Sequence, residues 1–316
     1  MSAAAPVLRL FCPAKLNLHL RITGRRSDGY HGLETVFHTI DLGDDLWARR
    51  TDGPMTLAIT ADDPREALPV QDDNLVCRAA RAFVRQAPSS GAFAFHLHKR
   101  TPHGGGLGGG SSDAAAALRL CNALAGAPLD HAALHALAAP LGADVPFFLL
   151  GGSQWATGIG TDLQSCAHAP QLYVTLIVPA FGCPTAEVYR MYAAHWQAPL
   201  HVATVPRVRD HLDDFADIAV RGEIVNDLAV AAELVRPELA RLRERAEGLG
   251  VGRVAMTGSG STLFVAAASA DEAAGHRRRL APLADQGVRI VSARSLVATP
   301  SPAASVWPRA EHGGGV

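Results

Sequence analysis

The segment Pro102-His103-Gly104-Gly105-Gly106-Leu107-Gly108-Gly109-Gly110-Ser111-Ser112-Asp113 constrains this chain more than any other. Six of its twelve residues are glycine. Upstream, Phe93-Ala94-Phe95-His96-Leu97-His98 alternates with the period of a strand. Downstream, Ser111 to Ala125 is rich in Ala and Leu, and Leu118, Leu120, Cys121 and Leu124 fit a buried helical stripe. A flexible linker would lack such flanks. A glycine-rich turn between strand and helix lets backbone N–H groups surround an anion, and the helix N-terminus adds orphan donors and partial positive charge. Ser111 or Ser112 is expected to cap the helix, with Asp113 in its first turn. The loop is not a Walker A loop, because no Lys follows Gly110. A dinucleotide fingerprint can be forced onto so many glycines but carries little weight, and Asp130 reads as the cap of the next helix.

The chain has 316 residues, 48% of them hydrophobic, enough for a large core and two domains. Its formal charge of −1 implies no basic face, so nucleic acid is not an expected partner. Five scattered cysteines with no C-x-x-C pair fit a reducing, cytoplasmic setting. No signal peptide is expected, and no apolar stretch is long enough to span a membrane. From about Thr299 to Val316 the composition is Pro-, Ala- and Gly-rich, which predicts a disordered tail.

Elsewhere, Pro13-Ala14-Lys15-Leu16-Asn17-Leu18-His19-Leu20-Arg21-Ile22 alternates as a strand, with Lys15 and Asn17 on one side and a bulge or break at Pro13. Asp28-Gly29 predicts a turn, followed by Tyr30-His31, a pair that could hold a flat heterocycle or simply be an exposed hairpin tip. Asp72-Asp73-Asn74-Leu75 opens a helix to about Gln86, with Asp or Asn as its cap. Asp144 stands in Leu141-Gly142-Ala143-Asp144-Val145-Pro146-Phe147, near a helix N-terminus, as either a cap or a general base. Tyr173 to Val178 reads as a buried strand, and a helix begins near Pro184-Thr185. Two strands are joined by Thr257-Gly258-Ser259-Gly260-Ser261-Thr262. His96 and His98 share a strand face, and a polar sheet surface is expected rather than a metal site. His168, His195 and His201 sit in apparent linkers, and Arg241 to Arg245 reads as a charged helix surface.

Three of these segments, in this order, resemble the three motifs of the GHMP kinases: Pro13-Ala14-Lys15-Leu16-Asn17-Leu18, Pro102 to Ser112, and Thr257 to Thr262. The resemblance spans about residues 8 to 295. It implies an α+β fold of two domains with the active site in the cleft between them: an ATP-binding domain over 1–160 and a C-terminal domain over 161–298. The doubled serine followed by Asp-Ala-Ala, and Asp28-Gly29-Tyr30-His31, resemble the branch whose acceptor is a cytidine-diphosphate-linked methylerythritol. That branch phosphorylates the acceptor's 2-hydroxyl on the non-mevalonate route to isoprenoid precursors. ATP and Mg²⁺ are then the expected cofactors, with no metal ligand assigned. The implied catalytic residues are Lys15 and Asp144, the latter as general base. The implied ATP contacts are Asn74, Leu75, Lys99 and Pro102, with Gly104, Gly105, Gly106, Leu107, Gly108, Gly109, Gly110, Ser111 and Ser112. The implied acceptor contacts are Asn17, Tyr30, His31, Asp144 and Thr185. The partner is a small molecule, and the protein is expected to be a monomer or weak homodimer. Acceptors such as mevalonate, homoserine or a sugar, and a non-catalytic nucleotide-binding regulator, are the alternatives.

Overall fold

The computed structural model describes residues 5–27, 29–66, 73–166, 171–195, 215–296 and 298–308. Asp28, Asp72, His168, His201 and residues 309–316 lie outside the described residues. In chain order the strands are β1 (Val7–Arg25), β2 (His31–Thr51), β3 (Thr56–Ala61), β4 (Ala92–Lys99), β5 (Ser153–Thr157), β6 (Asp162–Ser165), β7 (Tyr173–Val178), β8 (Ala255–Met256), β9 (Leu263–Ala267), β10 (Arg289–Arg294) and β11 (Ala303–Ala304). The helices are α1 (Leu75–Gln86), α2 (Gly109–Leu124), α3 (His131–Ala138), α4 (Val145–Leu150), α5 (Thr185–His195), α6 (Phe215–Val220), α7 (Ala229–Val235), α8 (Pro237–Gly248) and α9 (Ala270–Leu280). None of the described helices is long and apolar enough to cross a membrane.

The first sheet runs β11-β1-β2-β4-β3, with β5 and β6 added along the far half of β2. β1 and β2 form a long antiparallel ribbon whose register shifts at Pro13/Ala14, so the proline marks a bulge, as its missing N–H requires. A second shift falls between Asn17 and His19. The second sheet runs β10-β7-β9-β8, antiparallel throughout. The expected division at residue 160 falls inside the β5–β6 hairpin, both of whose strands belong to the first sheet.

Three cores hold these layers. Leu10, Leu46, Phe93, Phe95 and Leu97 on the first sheet meet Val76 and Phe83 of α1, Leu118 and Cys121 of α2, and Phe147 of α4. α2 approaches closely because Ala114 to Ala117 are all buried and small. Each fully buried leucine such as Leu118 or Leu120 contributes about 1.5–3 kcal/mol. Alternation on the second sheet sends Ile177, Leu263 and Val265 toward Val188, Leu239 and Leu242 of the helices. Its other face, Val174, Leu176 and Phe264, meets Leu16, Ile40 and Trp155 of the first sheet. β1 is thus buried on both sides, which places Lys15 and Asn17 inside the protein rather than on a solvated sheet face.

The C-terminal segment corrects an expectation. Residues 298–308 are ordered against the first sheet rather than loose: Ala303 and Ala304 pair with Arg9 and Leu8, Trp47 Nε1 donates to Ser305 Oγ at 3.2 Å, and the Arg49 guanidinium lies 4.4 Å from the Trp307 ring centroid. β1 would otherwise present an unpaired edge, and the tail covers it. His195 likewise closes α5 instead of lying in a linker, its Nδ1 3.0 Å from Met191 O.

Candidate active site

The glycine run leaves β4 and re-enters helix at Gly109, two residues earlier than expected. Gly108 is the N-cap, with φ of 73°, and no side chain caps the helix. Ser111 and Ser112 are therefore not caps but lie in the first turns. Asp113 follows in the second turn and is buried. The reason is geometric: a left-handed glycine turns the chain into the helix directly and leaves the first-turn N–H groups unclaimed. Gly106 has φ of 76°, and a Cβ there would stand 2.4 Å from Thr257 O. Only glycine lets the loop lie this close to the third motif, whose Thr262 N donates to Gly105 O at 3.2 Å.

The loop forms one wall of a cleft of about 1170 Å³. Pro102, Gly104 to Ser111, Leu75 and Lys99 line it, as do Lys15, Asn17, Tyr30, His31, Asp144 and Thr185. Two sequence-predicted nucleotide contacts do not. Asn74 caps α1, its Oδ1 accepting from Val76 N at 2.9 Å, and Ser112 is buried behind the loop. Lys99 borders the cleft, but its ammonium is committed elsewhere. It donates to Asp44 Oδ2 at 2.5 Å and Asp113 Oδ2 at 2.8 Å, all three side chains being buried. Asp44 also accepts the backbone N–H groups of Arg100 and Thr101 at 2.6 and 2.8 Å. Burial, and then the neighbouring Asp44, push the Asp113 carboxyl up to about 7 against the pull of Lys99.

Lys15 and Asp144 meet at the centre of the cleft, Nζ to Oδ2 at 3.8 Å. Asp144 is the N-cap residue of α4, yet its side chain makes no capping bond, so the carboxylate stays available to the cleft. Burial draws the Lys15 ammonium below its ordinary pKa, opposed by Asp144. Asn17 orients the lysine, its Oδ1 accepting from Nζ at 2.6 Å while Nδ2 donates to Thr35 Oγ1 at 2.8 Å. Asn17 N donates to Thr257 Oγ1 at 3.0 Å, and Lys15 N donates to Leu107 O at 3.0 Å. The three sequence motifs are thereby hydrogen-bonded to one another around one lysine.

The other end of the cleft is aromatic. The His31 ring lies 5.4 Å from that of Tyr189 and edge-on to Tyr192 at 6.1 Å, with Tyr30 beside it and largely exposed. Burial, and then the charge of Arg25, lower the His31 pKa and favour the neutral ring. Burial, and then Asp144, push the Tyr189 hydroxyl up to about 12. Thr185 Oγ1 stands 2.9 Å from Ser259 Oγ and joins α5 to the third motif. Reasoning from sequence missed Tyr189 and Thr35, and marked Thr257 only as the start of the third motif. Tyr189 follows Thr185 by four residues on one helix, a spacing that shares a face and was the available signal. Asn226 also gains a role, its Nδ2 donating to Met256 O and Gly258 O at 2.8 and 2.9 Å behind the third motif.

Among the described residues no group of three or more His, Cys, Asp or Glu side chains is placed to hold a metal ion. His96 and His98 instead share Thr60 Oγ1, each at 3.0 Å, and His98 pairs with Asp62.

Models of the GHMP kinases N terminal domain and the GHMP kinases C terminal match residues 74–152 and 212–282. A 4-diphosphocytidyl-2-C-methyl-D-erythritol kinase of Protochlamydia amoebophila is 36% identical over 81% of this chain and 83% of its own length. Its counterpart from Chlorobaculum parvum is 38% identical over 83% of this chain and 90% of its own length. A crystal structure of a 4-(cytidine 5'-diphospho)-2C-methyl-D-erythritol kinase superposes with a TM-score of 0.70 at 36% identity, covering 91% of this chain and 98% of that one. With the loop, the lysine and the third motif joined in one cleft, and relatives of this similarity over most of its length, the chain is a kinase that belongs to the GHMP kinases and, within them, to the family of the 4-diphosphocytidyl-2-C-methyl-D-erythritol kinases.

Proposed function

We propose that this chain transfers the γ-phosphoryl group of ATP to the 2-hydroxyl of 4-diphosphocytidyl-2-C-methyl-D-erythritol, in the cytoplasm, on the non-mevalonate route to isoprenoid precursors. The observation that carries the reading is the Lys15–Asp144 pair, 3.8 Å apart in the same cleft as the glycine loop. An attacking hydroxyl must lose its proton as the new P–O bond forms. Asp144 is the one carboxylate among the described residues that line the cleft. It accepts that proton, while Lys15, held by Asn17, offsets charge on the transferred group. Unclaimed N–H groups of the loop and of the first turn of α2 cradle the phosphates. Magnesium enters with the nucleotide as MgATP and neutralises phosphate charge. Asp113 is unsuited to hold it, being paired with Lys99. At the far end, Tyr30, His31 and Tyr189 supply ring faces and a neutral imidazole edge for a cytosine.

A coupled ADP-release assay with MgATP tests the reading against 4-diphosphocytidyl-2-C-methyl-D-erythritol, mevalonate, homoserine and galactose. Turnover is expected with the cytidine compound alone, and turnover with another acceptor instead would overturn the acceptor assignment. Asp144→Ala should lower kcat by about 10²–10⁴-fold while the nucleotide still binds. Near-normal turnover in that variant would remove Asp144 as the base.

A further inference from the structure

We propose that Arg25 and Arg190 form a clamp for the diphosphate of the acceptor, one arginine from each half of the protein. The inference rests on the acceptor assigned above. Four lysine and arginine side chains line the cleft: Lys15, Arg25, Lys99 and Arg190. Two of them are already answered by carboxylates. Lys15 faces Asp144 at 3.8 Å, and Lys99 is enclosed by Asp44 and Asp113. The other two are exposed. Among the described residues no carboxylate pairs with Arg25, and Arg190 has only a loose contact with Glu187 at 3.9 Å, with most of its side chain in solvent.

Their places in the fold give the pair a meaning. Arg25 ends β1 and is the register partner of His31. Arg190 follows Tyr189 directly on α5. The His31 and Tyr189 rings are 5.4 Å apart, and Arg25 and Arg190 line the same cleft beside them, one from β1 and one from α5. A nucleoside diphosphate with its base on those rings must run its phosphates from there toward Lys15 and Asp144, along the stretch of cleft that Arg25 and Arg190 line. A diphosphate bridge is dianionic and offers planar pairs of oxygens, the geometry that a guanidinium fork binds through two N–H donors. Mevalonate, homoserine and galactose carry no such group. The two arginines therefore select for a nucleotide-linked acceptor independently of the base.

Equilibrium binding of cytidine 5'-diphosphate and of cytidine separates this inference from the reading it rests on, because neither probe requires turnover. The intact chain is expected to bind the diphosphate at least tenfold more tightly than cytidine. Arg25→Gln and Arg190→Gln should each weaken diphosphate binding about five- to tenfold and leave cytidine unchanged, and the double variant should bind both alike. Arg190→Lys, which keeps the charge but not the fork, should recover part of the loss. In turnover the defect should fall on KM for the acceptor rather than on kcat, with KM for MgATP unmoved. Both residues are exposed, so a folding defect is not expected, and an unchanged melting temperature checks this. Equal binding of the diphosphate by the intact chain and the double variant would overturn the clamp while leaving the kinase reading intact. Absence of turnover with the cytidine acceptor, with the binding difference preserved, would overturn the acceptor reaction and leave the clamp standing.

Discussion

Replacing Asp113 with asparagine should stabilise this protein, and by an amount that depends on pH. Asp44, Lys99 and Asp113 bury two carboxylates around one ammonium, and Asp113 Oδ1 has no hydrogen-bond partner among the described residues. The Asp113 carboxyl is raised from 3.8 to about 7, first by burial and then by Asp44. A raised carboxyl has a definite sign. Between about pH 4 and 7 the folded state keeps a proton that the unfolded chain has released, so stability falls as pH rises through that window. The interval is about three pH units at roughly 1.4 kcal/mol each, a penalty on the order of 4 kcal/mol above pH 7. Asparagine imitates the protonated acid: its amide oxygen can still accept from Lys99, and Lys99 keeps Asp44. Asp113→Asn should therefore gain about 4 kcal/mol at pH 8, about 2 at pH 5 and little at pH 4. Urea unfolding at those three pH values, with unchanged m-values, measures it. A variant less stable than the parent at pH 8, or a gain independent of pH, would refute the reasoning.

Other perturbations probe the same framework. Lys99→Met leaves two buried carboxylates facing each other and should destabilise by about 3–5 kcal/mol at pH 8, with much of the loss recovered near pH 4 as they protonate; urea melts at both pH values check this. Gly106→Ala places a Cβ 2.4 Å from Thr257 O at a positive φ, so nucleotide affinity measured by calorimetry should fall at least tenfold, and unchanged affinity would show that the loop is free to shift. Ending the chain at Pro300 removes the β11 pairing and the Trp47 and Arg49 contacts, and should lower stability by about 1–3 kcal/mol with kcat retained. Chemical denaturation and the ADP-release assay read the two effects separately.

The features legible in the sequence were the local ones. Period-two alternation marked β1 and β4, a short apolar run marked β7, the Asp130 and α1 caps followed from residue type, and a glycine run between strand and helix located the cradle. What escaped depended on partners distant in sequence. Asp113 looked like a first-turn acid because its real partners, Lys99 and Asp44, arrive from other strands. Ser111 and Ser112 resembled caps because residue type does not show that Gly108 makes the turn by itself. The tail read as disordered because its composition holds no trace of the open edge of β1 that it covers. Lys15 and Asn17 showed their shared side through spacing, but not that both faces of their strand are buried.

The backbone bonds that tie the glycine loop have a consequence for how the cleft can move. Leu107 is held by Lys15 N from one half, and Gly105 by Thr262 N from the other. Spreading the halves at this point would break main-chain hydrogen bonds in a dry interior, so the nucleotide end is a fixed joint rather than a jaw. At the aromatic end, β1 is pinned at Leu20 and Ile22 to Val225 and Asp227, whereas His31 meets the tyrosines of α5 only through ring contacts, which can slide without leaving a polar group unpaired. Compliance is therefore confined to the aromatic rim of a rigid cradle. A donor's phosphates would meet a site already in shape, and an acceptor would meet first the rings of His31 and α5, which can shift against one another.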